Sequence, residues 1–210
     1  MTDYPTPKRI LDKAVSAVLL VVLSPVFGFL FVAMGLDMLF RSRDRGSWLY
    51  REPRISRGRE FDLLKFRTLQ RAVLEQIDPA ASHARLHEAD EENLTWAGRQ
   101  VLKPRYLDEL PQIWNVFRGD MSLVGPRPWP PPMVTNQVAN GLTYRNEFIA
   151  GWTGPAQVEK GVTESAGYAE LDVAYVERCL RARAWELVRG DVALLWRTVV
   201  VMAKGEGLRF

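Results

Sequence analysis

Apolar and polar residues are divided unevenly along the chain. From Ala14 to Leu36 a run of 23 residues carries no charge and is broken in its middle by Ser24-Pro25. At ~1.5 Å per residue such a helix is roughly 34 Å long, enough to cross a bilayer. Lys8, Arg9 and Lys13 precede the run, and Arg41, Arg43 and Arg45 follow it. A spanning helix should gather its basic residues at the cytoplasmic end, and this run shows no such asymmetry. Pro25 cannot donate to the carbonyl of residue 21 and presses against it, which bends a helix. The pattern predicts a helix over Pro7–Phe40 that enters the membrane, turns near Ser24-Pro25 and leaves by the same face. A single kinked span satisfies the apolar run as well. A signal peptide fits less well, because its apolar core is usually ~7–15 residues and ends at a cleavage site.

Beyond Phe40 the pattern shortens and becomes periodic. Trp48-Leu49-Tyr50 and Phe61 to Phe66 read as short strands around the turn-like Ser56-Arg57-Gly58-Arg59. Thr68 to Arg99 reads as polar helix with a solvated acidic cluster at Glu88, Asp90, Glu91 and Glu92. Leu110, Ile113, Trp114 and Phe117 share one helical face, and Gly119 is a natural stop. Pro111 is tolerated only in the first turn of that helix. Asp108 and Glu109 therefore lie at or just before its N-terminus. Tyr168 to Lys204 reads as two helices joined near Arg181 to Trp185, the second with an apolar stretch, Val192 to Met202, suited to a membrane surface.

Length and composition narrow the class. The 210 residues allow one membrane segment and one domain of ordinary size, with an expected division at 1–40 and 41–210. Net charge is only +3, yet Arg41 to Arg59 holds seven arginines against two acids. That stretch suits anionic headgroups or a phosphorylated ligand. No reading motif accompanies the arginines, so no nucleic-acid partner is expected. Cys179 is the single cysteine, which excludes an intrachain disulfide and makes it a packing residue. Trp129, inside a proline-rich run, suits either a membrane interface or a rigid surface loop. His83 and His87 have the i, i+4 spacing of a metal pair, but with no third ligand they read as two exposed helix residues.

Adjacent acids at a helix start are common for capping and dipole reasons alone. Their neighbours give Asp108 and Glu109 more weight. Lys65-Phe66-Arg67-Thr68 precedes them, Leu107-Asp108-Glu109-Leu110-Pro111-Gln112 contains them, and Gly119-Asp120-Met121-Ser122-Leu123-Val124-Gly125-Pro126-Arg127-Pro128 follows. Together with Ser24-Pro25, Asn115-Val116, Gly151-x-Thr153-Gly154-x-x-Gln157, Asp172 and Tyr175-Val176, these segments resemble the bacterial sugar transferases, the monotopic phosphoglycosyl transferases. The order and spacing agree over almost the whole chain.

The resemblance implies an α+β, predominantly helical fold: an N-terminal re-entrant membrane helix bent at Ser24 and Pro25, a compact cytosolic catalytic domain, and interfacial amphipathic helices. It implies transfer of a phosphosugar from a nucleoside diphosphate sugar, by family habit a UDP-sugar, to polyprenyl (undecaprenyl) phosphate. Asp108 would be the nucleophile of a covalent intermediate, and Glu109 would help hold Mg2+ with it. Lys65, Arg67, Arg105 and Arg127 would bind substrate phosphates, the guanidinium fork matching that geometry. Such an enzyme would work at the cytoplasmic face of a bacterial inner membrane, in contact with membrane lipids, and a homodimer is compatible with it. Lys103-Pro104-Arg105-Tyr106 departs from the family's usual Arg-Arg-Thr-Ser, and Arg105 is the leading substitute there. Glu52, Ser56 and Ala150 also depart from the usual residues. An inactive membrane-anchored scaffold is the rival reading; it expects Asp108→Asn to leave the biological role intact.

Overall fold

A computed structural model of the protein describes residues 4–77, 84–158 and 165–204. His83 lies outside the described residues. In chain order the elements are α1 (Thr6–Val22), α2 (Ser24–Phe40), β1 (Leu49–Ser56), β2 (Arg59–Phe66), α3 (Arg71–Leu74), α4 (Ala84–His87), α5 (Gln112–Arg118), β3 (Ser122–Val124), α6 (Pro131–Ala139), α7 (Tyr144–Glu147), β4 (Gly151–Thr153), α8 (Pro155–Val158), α9 (Ser165–Arg181) and α10 (Ala184–Lys204). The fold is α+β and predominantly helical, with two small two-stranded sheets among the described residues.

The apolar run forms two helices, α1 and α2, bent by 56°. Leu23 is the break, and Pro25 sits in the first turn of α2. Proline has no N–H for the Val21 carbonyl, and the Ser24 hydroxyl donates to that carbonyl instead, at 2.7 Å. The Ser-Pro pair therefore makes the bend without leaving the acceptor bare. Among the described residues no single helix is long and apolar enough to cross a membrane, while the bent pair passes by length and composition. Leu30, Met34 and Asp37 mark the buried side of α2; Phe29, Val32, Leu36, Leu39 and Phe40 are exposed.

The chain divides into two compact units. The first draws its described residues from Leu19–Glu52 and Asp62–Trp114, so residue 40 falls inside it. Leu30 and Met34 of α2, one turn apart, pack with Phe66, Ala97 and Leu102. Phe31 meets the Phe66 ring edge-on at 5.6 Å, an arrangement aromatic quadrupoles favour. Two buried acids tie the loop beyond: Asp37 accepts from the Ala97 N–H at 2.9 Å and Asp44 from the Trp96 N–H at 3.2 Å. Residues 68–99 are not the expected helix. Among the described residues of that stretch there are only short helical turns, α3, α4, Glu91–Asn93 and the start of Gly98–Leu102, because Leu69, Ile77, Ala84 and Leu94 gather into a small core of their own. Gln70 donates its backbone N–H to Asn93 at 2.9 Å, folding the segment back on itself.

The second unit draws its described residues from Met1–Val18, Pro53–Phe61 and Asn115–Phe210. Its β3 and β4 pair in parallel, Ser122 opposite Gly151 and Val124 opposite Thr153. This pair explains the glycines of two sequence motifs. A Cβ on Gly151 would lie 2.0 Å from the Gly125 nitrogen, and one on Gly154 2.2 Å from the Gly125 oxygen. Lys8 is fully buried, donating to the Val124 carbonyl at 2.9 Å and pairing with Asp191. Tyr175 donates its hydroxyl to Asp191 at 2.9 Å, and Asp12 accepts from the Leu123 N–H at 3.1 Å. Arg145 pairs with buried Asp172 at 2.8 Å and lies 4.1 Å over the Trp129 ring. Trp129 thus anchors a loop, and its carbonyl accepts from the Ile55 N–H at 2.9 Å. Cys179 is buried, as a packing residue should be. The C-terminal helices α9 and α10 meet at Ala182-Arg183; Trp185, Val192, Trp196 and Val199 are exposed on α10.

The β1–β2 hairpin turns at Arg57 and Gly58, with φ of 52° and 71°. Two successive positive φ values are what a tight hairpin turn requires. Both strands run longer than the apolar pattern indicates, because most of the added positions are polar, Glu52, Arg54 and Ser56 of β1 being buried all the same.

Candidate active site

A series of tight turns delivers the acid pair to the start of α5. Gly98–Leu102 forms one wide helical turn, Lys103–Arg105 a tight one, and Leu107–Glu109 another. Gly98 is needed because a Cβ there would lie 2.5 Å from the Thr68 carbonyl oxygen. Tyr106 links the last two turns with φ of 55°, a left-handed conformation uncommon outside glycine and frequent at functional sites. Leu102, Leu107 and Leu110 sink into the core of the first unit, which fixes the direction of the intervening chain. Asp108 and Glu109 stand just before α5, as the position of Pro111 predicts. Gly119 ends α5 with φ of 90°.

Asp108 is buried, at 2% exposure. Its Oδ2 accepts from the Lys103 ammonium at 3.2 Å, while its Oδ1 is buried without a hydrogen-bond partner among the described residues. Lys103 also donates to Glu88 Oε2 at 2.5 Å, and Glu88 Oε1 accepts from the Thr68 hydroxyl at 2.7 Å. Burial pushes the Asp108 carboxyl up to about 6; Lys103 and Lys65 pull against that rise, and Glu109 and Glu88 add to it. Burial works to lower the Lys103 pKa, but Asp108 and Glu88 together outweigh it and hold the ammonium above its ordinary value.

The other expected phosphate ligands are placed differently from one another. Lys65 pairs with Glu52 at 3.0 Å and lies close enough to Asp108 to favour its ionised form. Arg67 is buried, and its guanidinium donates to the carbonyls of Ser47 and Leu69 at 2.7 Å each and to that of Asp44. In this arrangement it braces the backbone rather than offering its fork to a ligand. Arg105 is exposed and donates to the Gln100 carbonyl at 3.4 Å; Lys103, two residues earlier, is the cation on Asp108. Arg127 lies in the second unit, where its charge favours ionised Asp172; its side chain makes no hydrogen bond among the described residues. Among those residues no group of three or more His, Cys, Asp and Glu could hold a metal. A cavity of about 790 Å3 in the second unit is lined by Arg9, Lys13, Arg57, Arg59 and Arg118 and by four acids, neither of them Asp108 or Glu109.

Residues 4–205 match the bacterial sugar transferase family. The chain belongs to that family. It is 34% identical to a UDP-galactose-lipid carrier transferase of Erwinia amylovora, over 87% of this chain and 39% of the relative. It is 32% identical to an undecaprenyl-phosphate glucose phosphotransferase of Komagataeibacter xylinus, over 91% of this chain and 35% of the relative. The exopolysaccharide production protein ExoY of Rhizobium meliloti is 39% identical, over 95% of this chain and 87% of its own. This family member thus spans about two fifths of the Erwinia protein and most of ExoY. The matched range contains the acid pair, Thr68 and the facing glycines Gly125, Gly151 and Gly154.

Proposed function

We propose that this chain is a phosphoglycosyl transferase that starts a lipid-linked glycan, such as an exopolysaccharide, on polyprenyl phosphate. The observation that carries the reading is the state of Asp108: one carboxylate oxygen is held by Lys103, and the other is buried without a partner. A carboxylate so held is oriented before substrate arrives, and orientation supplies much of the rate of an associative step. In the first half-reaction Asp108 Oδ1 attacks the sugar-bearing phosphorus of a UDP-sugar; the phosphoanhydride bond breaks and UMP leaves. In the second, the phosphate oxygen of undecaprenyl phosphate attacks the same phosphorus, and Asp108 is released as a carboxylate. Splitting the transfer in this way gives ping-pong kinetics.

The relatives' names, with undecaprenyl phosphate and lipid carrier in them, support this acceptor. Mg2+ suits the site: it takes one or two carboxylates and completes its shell with substrate oxygens. Glu109, beside Asp108, would hold it, and it would neutralise charge on the phosphates. Lys65, in the same unit as Asp108, is the cation there best suited to phosphate, and Arg67 braces the backbone beside it. The bent α1–α2 pair supports a re-entrant seat in the cytoplasmic leaflet, and the exposed apolar face of α10 supports contact with the membrane surface. Incubation with a UDP-sugar alone tests the reading: UMP should be released once per chain, and peptide mass spectrometry should find the phosphosugar on Asp108. A label on another residue excludes this mechanism.

A further inference from the structure

Glu88 belongs, by sequence, to an acidic cluster that should be solvated, but it parts company with its neighbours. Asp90, Glu91 and Glu92 are exposed, and Asp90 is occupied with the Glu92 N–H at 2.9 Å. The Glu88 carboxylate is only 12% exposed and has both oxygens engaged, Oε1 by the Thr68 hydroxyl and Oε2 by Lys103. Thr68 is itself buried, and its carbonyl accepts from the Thr95 N–H at 2.8 Å. Four side chains therefore run in series: Thr68, Glu88, Lys103, Asp108. Only the last is a reacting group in the proposed chemistry.

We infer that Glu88 is a positioning residue, holding the Lys103 ammonium against Asp108 Oδ2 so that Oδ1 alone is presented for attack. The inference rests on the proposed role of Asp108. A lysine ammonium is a compact charge on four flexible methylenes with three rotatable donors. With Asp108 as its sole acid it can bridge both carboxylate oxygens or swing away, since Lys103 is 29% exposed. Glu88 restricts both freedoms, because it takes a second donor of the ammonium at 2.5 Å, and Thr68 in turn fixes Glu88. The arrangement also explains why lysine is accommodated at position 103: a second acid supplies the orientation that a planar guanidinium fork would carry in its own shape.

The test is the rate of the first half-reaction, UDP-sugar alone, in wild type, Glu88→Gln, Lys103→Met and the double variant. Glu88→Gln should slow labelling of Asp108 by about 10-fold to 100-fold, the loss expected when a reacting group is misplaced by ~1 Å. Donor KM should change less than about twofold, because Glu88 touches no substrate. Glu88→Asp should recover part of the rate, and thermal unfolding should show that each variant folds. In the Lys103→Met background Glu88→Gln should cost nothing further, or restore rate, since an acid beside Asp108 without its lysine only repels the incoming phosphate. Losses that multiply in the double variant, or a Glu88→Gln protein labelled at the wild-type rate, overturn the role of Glu88 while leaving Asp108 as nucleophile. A wild type that forms no label on Asp108 removes both readings.

Discussion

In the proposed mechanism Asp108 must lose its proton before it can attack phosphorus, so its environment would set the working pH. Burial raises its pKa from the usual carboxylate value to about 6, with Lys103 and Lys65 opposing the rise. The ionised fraction grows as pH rises through that value. Donor-only labelling should therefore climb from pH 5 to pH 6.5 and level off above 7, and Lys103→Met should move the midpoint upward because a favourable charge is lost. Lys103→Arg should keep the midpoint near its place. Linkage gives a second consequence. A carboxyl whose pKa is higher folded than unfolded takes up a proton on folding, so its contribution to stability is present at low pH and is lost as pH rises through about 6. Asp108→Asn should abolish labelling and raise the unfolding midpoint at pH 8 more than at pH 5. An equal change at both pH values would mean that Asp108 is not held against its ionisation. The acids were legible in the sequence because Pro111 dates the helix start and the flanking motif is specific. Lys103 and Glu88 were not, because their partnership depends on turns that bring residues 15 apart to 2.5 Å, and neither period nor spacing encodes such a contact.

At the scale of elements, two short motifs do their work through backbone geometry. Ser24-Pro25 could be read directly, since proline removes one donor and the preceding hydroxyl replaces it at the same carbonyl. Replacing both, Ser24→Ala with Pro25→Ala, restores the N–H and the regular bond, so α1 and α2 should merge toward one helix. Cysteines introduced at positions 3 and 43 should be labelled from one side of the membrane in the parent chain. In the double variant they should be labelled from opposite sides; same-side labelling there would show that the bend has another cause. The parallel β3–β4 pair was not legible, because three residues per strand carry no readable alternation. Its glycines make it testable. Gly151→Ala drives a methyl into the Gly125 backbone and should lower stability by about 3 kcal/mol or more, past the usual range for overpacking. Gly119→Ala meets nothing within 4 Å and bears only the strain of φ 90°, about 1–2 kcal/mol. Denaturant midpoints that rank these two in reverse order would contradict the close approach of the strands.

For the whole molecule the question is why apolar side chains remain outside after both units have closed their cores. The chain spreads each unit over several separate segments, so the apolar run is not an appendage to a folded domain. Leu30 and Met34 of α2 are core residues at 0% and 2% exposure, while Phe29, Val32 and Phe40 on the same helix stand at 62%, 61% and 76%. Large residues exposed this consistently suit an apolar partner, the membrane in the proposed function. Hydropathy could announce the run but could not divide it into a packed face and an exposed face, because nearly every residue in it is apolar. The division yields a prediction with two readouts. Phe29→Asp with Val32→Asp places charges on the exposed side only, so the unfolding midpoint in detergent should change little. Retention on vesicles should fall sharply, since an acid within the hydrocarbon region costs about 2.5–3.5 kcal/mol. Leu30→Asp should do the reverse, collapsing the fold before any change in partitioning can be read, because a charge would then sit without a partner among Met34, Phe66 and Leu102. If the paired acids leave vesicle binding unchanged, the apolar side of α2 is not the membrane contact, and the exposed apolar residues of α1 and α10 become the candidates.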